Sequence, residues 1–245
     1  MQLESTSGLI LVVIFLATFI RSALGFGEAL VAVPLLALLI PIETAAPLAV
    51  LVSITVAALI LGQDWREVQM AGVSRLVLST LPGIPVGLWL LIRVDEVVVK
   101  TILALVILLF SAYVLAGRAK LRLKGDRWAG AFGFMAGILG GAYGMNGPPL
   151  VLYGTFRDWS PEQFRATLQG YFLPASILGM IGYYLSGLWT REVTNLFLLT
   201  LPAVLIATLL GRSVTRRLPR ERFVRWVHSA LILIGLLLLG QGIWV

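Results

Sequence analysis

Apolar runs, separated by short polar or glycine- and proline-rich intervals, follow one another along the whole chain. They predict segments at about 8–24, 29–40, 43–62, 73–92, 97–117, 128–139, 147–156, 163–188, 192–210 and 226–243. Most approach the roughly 20 residues that a helix needs to cross ~30 Å of hydrocarbon, which points to helices rather than a barrel. Three are too short. Ala29–Ile40 and Trp128–Leu139 have twelve residues each, or ~18 Å of helix, and Gly147–Phe156 is shorter still.

The short segments coincide with breaks. Gly137–Tyr153 reads GILGGAYGMNGPPLVLY, and no helix runs undisturbed through Pro148-Pro149, because each proline lacks an N–H and clashes with the preceding turn. A weaker echo, RSALGFGEALVAVP, runs from Arg21 to Pro34. Irregular backbone at membrane depth is tolerated only where protein buries it or it lines a cavity. Short, interrupted segments in matching places of two halves point to a transporter's binding site.

The halves match. Val73–Leu90 aligns without gaps on Val193–Leu210, with Thr-Leu-Pro at 80–82 and 200–202 setting an offset of 120. Glu96–Leu109 resembles Glu221–Ile234 at an offset of 125. The Gly25/Gly27 break falls opposite Gly141/Gly144, and Glu43 opposite Glu162.

Lysine and arginine set the topology. They gather in intervals around 63–75 (Arg66, Arg75), 118–127 (Arg118, Lys120, Arg122, Lys124, Arg127), 157–165 (Arg157, Arg165) and 212–225 (Arg212, Arg216, Arg217, Arg220, Arg222, Arg225). The positive-inside rule puts these intervals in the cytoplasm, which works only if 128–156 enters and leaves on one side. The expected fold is an all-α integral membrane protein of two inverted-topology repeats. Each repeat is a broken, re-entrant helical hairpin followed by three transmembrane helices. Residues 1–117 form the first repeat, 118–127 a cytoplasmic basic linker and 128–245 the second repeat. Both termini then face outward, and fifteen of nineteen basic residues lie inside. Trp65, Trp89, Trp128, Trp159, Trp189, Trp226 and Trp244 all fall at segment ends or in loops, as an interfacial belt requires.

Composition agrees. Of 245 residues, 59% are hydrophobic and 13% charged, against about 25% charged in soluble domains; the mean hydropathy is +0.96. The longest polar interval, Arg118–Arg127, is too short for a soluble domain. No cysteine is present and His228 is the one histidine, which argues against disulfides, thiolate sites and histidine-based metal sites. The net charge of +7 reads as topogenic rather than as a nucleic-acid surface, and no Walker GxxxxGK[ST] motif appears. The N-terminal MQLESTSG lacks a basic n-region, so Gly8–Ala23 is expected to stay in the mature protein.

Half-helix N-termini present free N–H groups and partial positive charge to anions. Here they are Gly25–Glu28 and Gly144–Gly147, with Asn146 as a side-chain donor. Arg21 has two readings of equal weight: counter-charge to an anion or partner of Glu28, and an anchor at the far interface. Glu28 could pair with Arg21 or carry a proton. Ser53, Thr55, Thr167 and Gln169 could add polar contacts, although Ser and Thr in such helices more often pack or bond their own backbone. The six arginines at 212–225 read as topogenic charge in preference to lipid headgroup ligands. His228 reads as interfacial and without function.

Two glycine-rich breaks, LGFGEALVAVPLL and GILGGAYGMNGPPLVLY, followed by Phe164-Arg165-Ala166-Thr167, resemble the TauE/SafE sulfite exporter family, also called the 4-toluene sulfonate uptake permease family. The resemblance covers nearly the whole chain. It implies a bacterial inner-membrane transporter of small sulfur-containing anions such as sulfite, sulfoacetate or another organosulfonate. The chain departs from the family's glycine-rich first break in carrying Glu28 after Gly27. The substrate-binding set is then Arg21, Ser22, Gly25, Phe26, Gly27, Glu28, Tyr143, Gly144, Asn146, Gly147, Pro148 and Pro149. The partners are a small anion, the bilayer and a coupling proton; no cofactor, metal or nucleic acid is expected. Asn146→Ala or Gly144→Leu should abolish flux with normal expression. The rival readings are an anion channel and an intramembrane enzyme acting on lipid phosphate, for which Ser22 and Glu28 are the available groups.

Overall fold

The computed structural model describes residues 2–64, 70–117, 122–123, 125–215 and 220–243. Among these residues the chain is helical, without a strand. The helices are α1 (Gln2–Leu24), α2 (Glu28–Leu36), α3 (Ile42–Asp64), α4 (Met70–Thr80), α5 (Gly83–Arg93), α6 (Glu96–Ala116), α7 (Ala129–Tyr143), α8 (Gly147–Phe156), α9 (Pro161–Leu185), α10 (Arg191–Thr215) and α11 (Arg220–Ile243). Five described stretches are long and apolar enough to cross a bilayer: Thr6–Leu24, Ile42–Leu61, Val73–Arg93, Glu96–Ala116 and Arg191–Gly211. With so apolar a composition, they define a multi-pass membrane protein. α1 is itself among them, where the sequence reading makes it one arm of a hairpin.

Two segments differ from expectation. The segment 29–40 is helical only to Leu36, after which turns lead to Pro41. The segment 73–92 is two helices, α4 and α5, parted at Leu81-Pro82. The matching Thr-Leu-Pro of α10 bends no such gap, and Pro202 sits inside a continuous helix. The next residue differs: Gly83 follows Pro82, whereas Ala203 follows Pro202. Proline removes a helical hydrogen bond, and glycine holds a helix less firmly than alanine. Thr80 at the break is also held from outside, its Oγ1 lying 3.1 Å from Gly133 O and 2.6 Å from Tyr171 Oη.

α3 and α9 pack against each other at the centre. α1 lies on α10, α4 and α5 lie on α7, and α6 lies on α11. α2 returns along α1 and touches α3, while α8 returns along α7. The α5–α7 contact is backbone against backbone. A Cβ built on Gly83 would meet Phe134 O, and one on Gly87 would meet Ile138 O and lie 2.9 Å from Gly141 Cα. Small residues at four-residue spacing allow such an approach, which dispersion and close packing reward within a bilayer.

Outward-facing Trp89, Trp128, Trp189 and Trp226 are exposed, as a lipid-facing belt requires. Trp159 instead packs edge-on against Tyr153 and Phe164. Trp65 and Trp244 lie outside the described residues, as do much of the basic linker and the side chains of Glu162, Arg165 and five of the arginines at 212–225. The described part of the linker is docked: Leu123 N–H donates to Phe156 O at 2.8 Å, and Asp126 pairs with Arg157 at 3.1 Å. His228 faces inward rather than toward lipid or water. It is 1% exposed, with Nδ1 3.2 Å from Ser111 Oγ and its ring edge-on to Phe110.

Candidate functional site

The two breaks have the same construction. α1 ends at Leu24, and Gly25 follows with φ +87° while its N–H bonds Arg21 O at 2.6 Å. α7 ends at Tyr143, and Gly144 follows with φ +64° while its N–H bonds Gly140 O at 2.9 Å. Two residues later, Gly27 caps α2 and Asn146 caps α8. Gly25 therefore matches Gly144, Gly27 matches Asn146 and Glu28 matches Gly147, all 119 positions apart. The sequence alignment instead sets Gly25 and Gly27 against Gly141 and Gly144. Left-handed backbone is what requires glycine at Gly25 and Gly144.

Both breaks open onto one small cavity of about 20 Å³, lined by Arg21, Phe26 to Leu30, Ser53, Gly144 to Pro148 and Phe172. Eight of the twelve sequence-predicted residues are thereby brought together: Arg21, Phe26, Gly27, Glu28, Gly144, Asn146, Gly147 and Pro148. The other four do not line it. Gly25 contributes from behind, its carbonyl accepting from Gln169 Nε2 at 2.7 Å. Ser22 packs on Gly211 of α10. Tyr143 donates its hydroxyl to Val99 O of α6 at 2.9 Å. Pro149 is buried in the first turn of α8.

Arg21 is 2% exposed and turns inward to the cavity wall, where other side chains surround it. Its Nη1 donates to Glu28 Oε2 at 2.5 Å and to Ser53 Oγ at 2.6 Å, and Nη2 reaches Gln169 Oε1 at 3.4 Å. Phe172 lies under the guanidinium, 5.1 Å from ring centre to Cζ. Arg21 Nε and Glu28 Oε1 have no hydrogen-bond partner among the described residues. Two buried charged groups thus face the same cavity with bonding capacity unused, and buried polar groups are normally satisfied.

The helix ends differ in strength. The first-turn N–H groups of Glu28, Ala29 and Leu30 precede the first bond of α2, Val31 N–H to Gly27 O at 3.1 Å, and no side chain caps them. At α8, Pro148 and Pro149 have no N–H to offer, which leaves the N–H of Gly147 and the side chain of Asn146 as the donors there. Asn146 is 5% exposed and lies over Gly140, whose missing Cβ makes room for its amide. Gly140 is the position matching Arg21 by the same offset. One half supplies a cation, and the other an amide in the space its glycine leaves free.

Sequence reading does not find Phe172, Ala29, Leu30 or Met145 in the cavity wall. A residue class could not reveal them, because apolar side chains fill every face of these helices. Ser53 and Gln169 take the polar roles considered for them, while Thr55 bonds its own helix at Leu51 O, 3.0 Å away. Thr167 is buried with its hydroxyl unpartnered among the described residues.

A multi-pass helical protein whose two broken hairpins meet at a buried cation has the form of a membrane transporter. The chain belongs to the sulfite exporter TauE/SafE family, whose pattern matches residues 10–238. It is similar, at 26% identity over 240 residues, to a probable sulfite/organosulfonate exporter TauE of Cupriavidus necator, covering 93% of this chain and 92% of that protein. No solved structure matches it. Family and relative alike indicate a transporter, not an enzyme, and Ser22, the nucleophile an enzyme would need, is turned away from the cavity.

Proposed function

We propose that the protein is a secondary transporter of a small sulfur-containing oxyanion, sulfite or an organosulfonate, working by alternating access between two inverted repeats. The observation that carries this reading is the single cavity shared by both breaks, with Arg21 buried in its wall. Arg21 and the open first turn of α2 would hold the oxyanion, and Asn146 would donate from the opposite hairpin. Phe26, Leu30, Met145 and Phe172 supply an apolar side suited to the carbon group of a sulfonate.

The packing supports the repeat. Exchanging α1 for α7, α2 for α8, α3 for α9, α4 and α5 for α10, and α6 for α11 carries the principal contacts into one another. The α1–α10 contact becomes that of α7 with α4 and α5, while α3–α9 and α6–α11 map onto themselves. Residues 1–117 and 128–245 would then be repeats joined by a cytoplasmic linker, in a bacterial inner membrane with both termini outside. Each repeat's first helix is seated in the other repeat, so rocking would move both breaks together. The relative's name, an exporter, suggests outward transport.

Asn146→Ala tests the site. Flux of sulfite or ethanesulfonate into proteoliposomes should fall at least tenfold, about 1.4 kcal/mol, with unchanged yield and monodispersity; wild-type flux would remove Asn146 from the site. Gly144→Leu is a poor test here. Its Cβ would lie 2.7 Å from Val50 Cγ2 on left-handed backbone, so lost flux would report a damaged fold.

A further inference from the structure

Glu28 occupies the place where an external anion should bind. Its carboxylate takes the Nη1 of Arg21 at 2.5 Å, at the first position of α2, where the uncapped first turn favours negative charge. Arg21 and Glu28 are the only ionisable side chains in the described cavity wall. The elements around them offer neutral groups instead: Ser53 from α3, Gln169 and Phe172 from α9, and Asn146 ahead of α8. Tyr171 of α9 is engaged with Thr80 and with the Asn146 side chain, and His228 of α11 with Ser111. No second cation is present there to hold a second anion. A sulfonate entering beside an ionised Glu28 would place two negative groups on one guanidinium.

Resting on the proposed transport reading, we infer that Glu28 is an internal stand-in for the substrate and the proton carrier of the cycle. A proton from the aqueous phase adds to the Glu28 carboxylate, the Arg21–Glu28 ion pair opens, and the incoming sulfonate takes the freed guanidinium. The neutral carboxylic acid travels with the bound anion. On the other side the anion leaves, the proton passes to water, and Glu28 closes back on Arg21. One proton moves with one monovalent anion, so the step is electroneutral. The Oε1 of Glu28 is buried without a hydrogen-bond partner among the described residues, so it is the oxygen that can take a proton without first breaking the bond from Oε2 to Arg21.

Binding and proton uptake are then reciprocally linked. Ethanesulfonate is the probe, since its own charge stays constant across the working pH range. With purified protein, its affinity should weaken with rising pH by up to tenfold per unit, the limit for one linked proton. In proteoliposomes with a trapped pH dye, its inward movement should acidify the lumen. Glu28→Gln should flatten the pH dependence of binding, abolish acidification and make any remaining flux sensitive to membrane potential. Wild-type protein that binds and transports ethanesulfonate with no pH dependence and no proton movement would overturn the inference while leaving the transport reading intact. Proton movement retained in Glu28→Gln would also overturn it. Wild-type protein that binds neither ethanesulfonate nor sulfite would remove both readings. Should Glu28→Gln fail to fold, the two wild-type measurements decide the matter alone.

Discussion

Removing the guanidinium of Arg21 would strand the Glu28 carboxylate in a site where its own side chain is 1% exposed. Breaking a buried ion pair in this way costs about 3–5 kcal/mol, whereas replacing both partners is often neutral. Arg21→Met should therefore lower stability by that amount in detergent micelles, as measured by denaturant unfolding. Adding Glu28→Gln to it should recover most of the loss without restoring anion binding. An additive pair of effects would mean that the two residues do not depend on each other. Gly27 has a smaller role. Its φ is +98°, but a Cβ there would meet only Ile20 Cγ2, at 4.0 Å. Gly27→Ala should thus cost about 1–2 kcal/mol of backbone strain, seen as a lower melting temperature with anion affinity retained.

At the scale of helices, the breaks follow from local chemistry, and so they were legible. Gly25 and Gly144 terminate helices in left-handed conformation, and the prolines after Asn146 start the next helix where their missing N–H groups are tolerated. The division of α4 from α5 was not legible, since the same Thr-Leu-Pro stays helical in α10. That break depends on Gly83 approaching α7, a neighbour more than forty residues away in sequence. Gly87→Leu should separate α5 from α7 and reduce stability by at least about 1–3 kcal/mol, the usual cost of overpacking. Gly179→Ala is the control. Nothing lies within 4 Å of its added Cβ, so it should leave the melting temperature unchanged or raise it slightly. Equal losses in both variants would show that the α5–α7 contact is not special.

For the molecule as a whole, the proposed inverted arrangement makes a prediction about sidedness. The chain has no cysteine, so single introduced cysteines can be labelled without background. Ser186→Cys, in the turn between α9 and α10, should react with a membrane-impermeant maleimide in intact cells. Arg122→Cys, whose arginine is exposed in the linker, should react only after permeabilisation. The reverse pattern would invert the topology, and labelling of both from outside would remove the inverted repeat. Arg21 also shows where reading by position alone reaches its limit. Thirteen residues into its segment, it was equally an interfacial anchor or a site charge, and only the tertiary structure shows it buried among Ser53, Gln169 and Phe172.

Apolar runs, charge asymmetry and the chemistry of glycine and proline made the protein a helical membrane protein with two matched breaks, before any neighbour was known. Those properties act within a few residues, so the chain itself expresses them. Which side chains face the cavity is another matter. In helices that are apolar on nearly every side, no polar stripe marks the inner face, and the rotation of each helix is set only by its packing partners. Tertiary structure therefore decided that α3 and α9 bring Ser53, Gln169 and Phe172 to Arg21. It also decided that Ser22 and Tyr143 turn away, and that two hairpins 119 residues apart share one cavity.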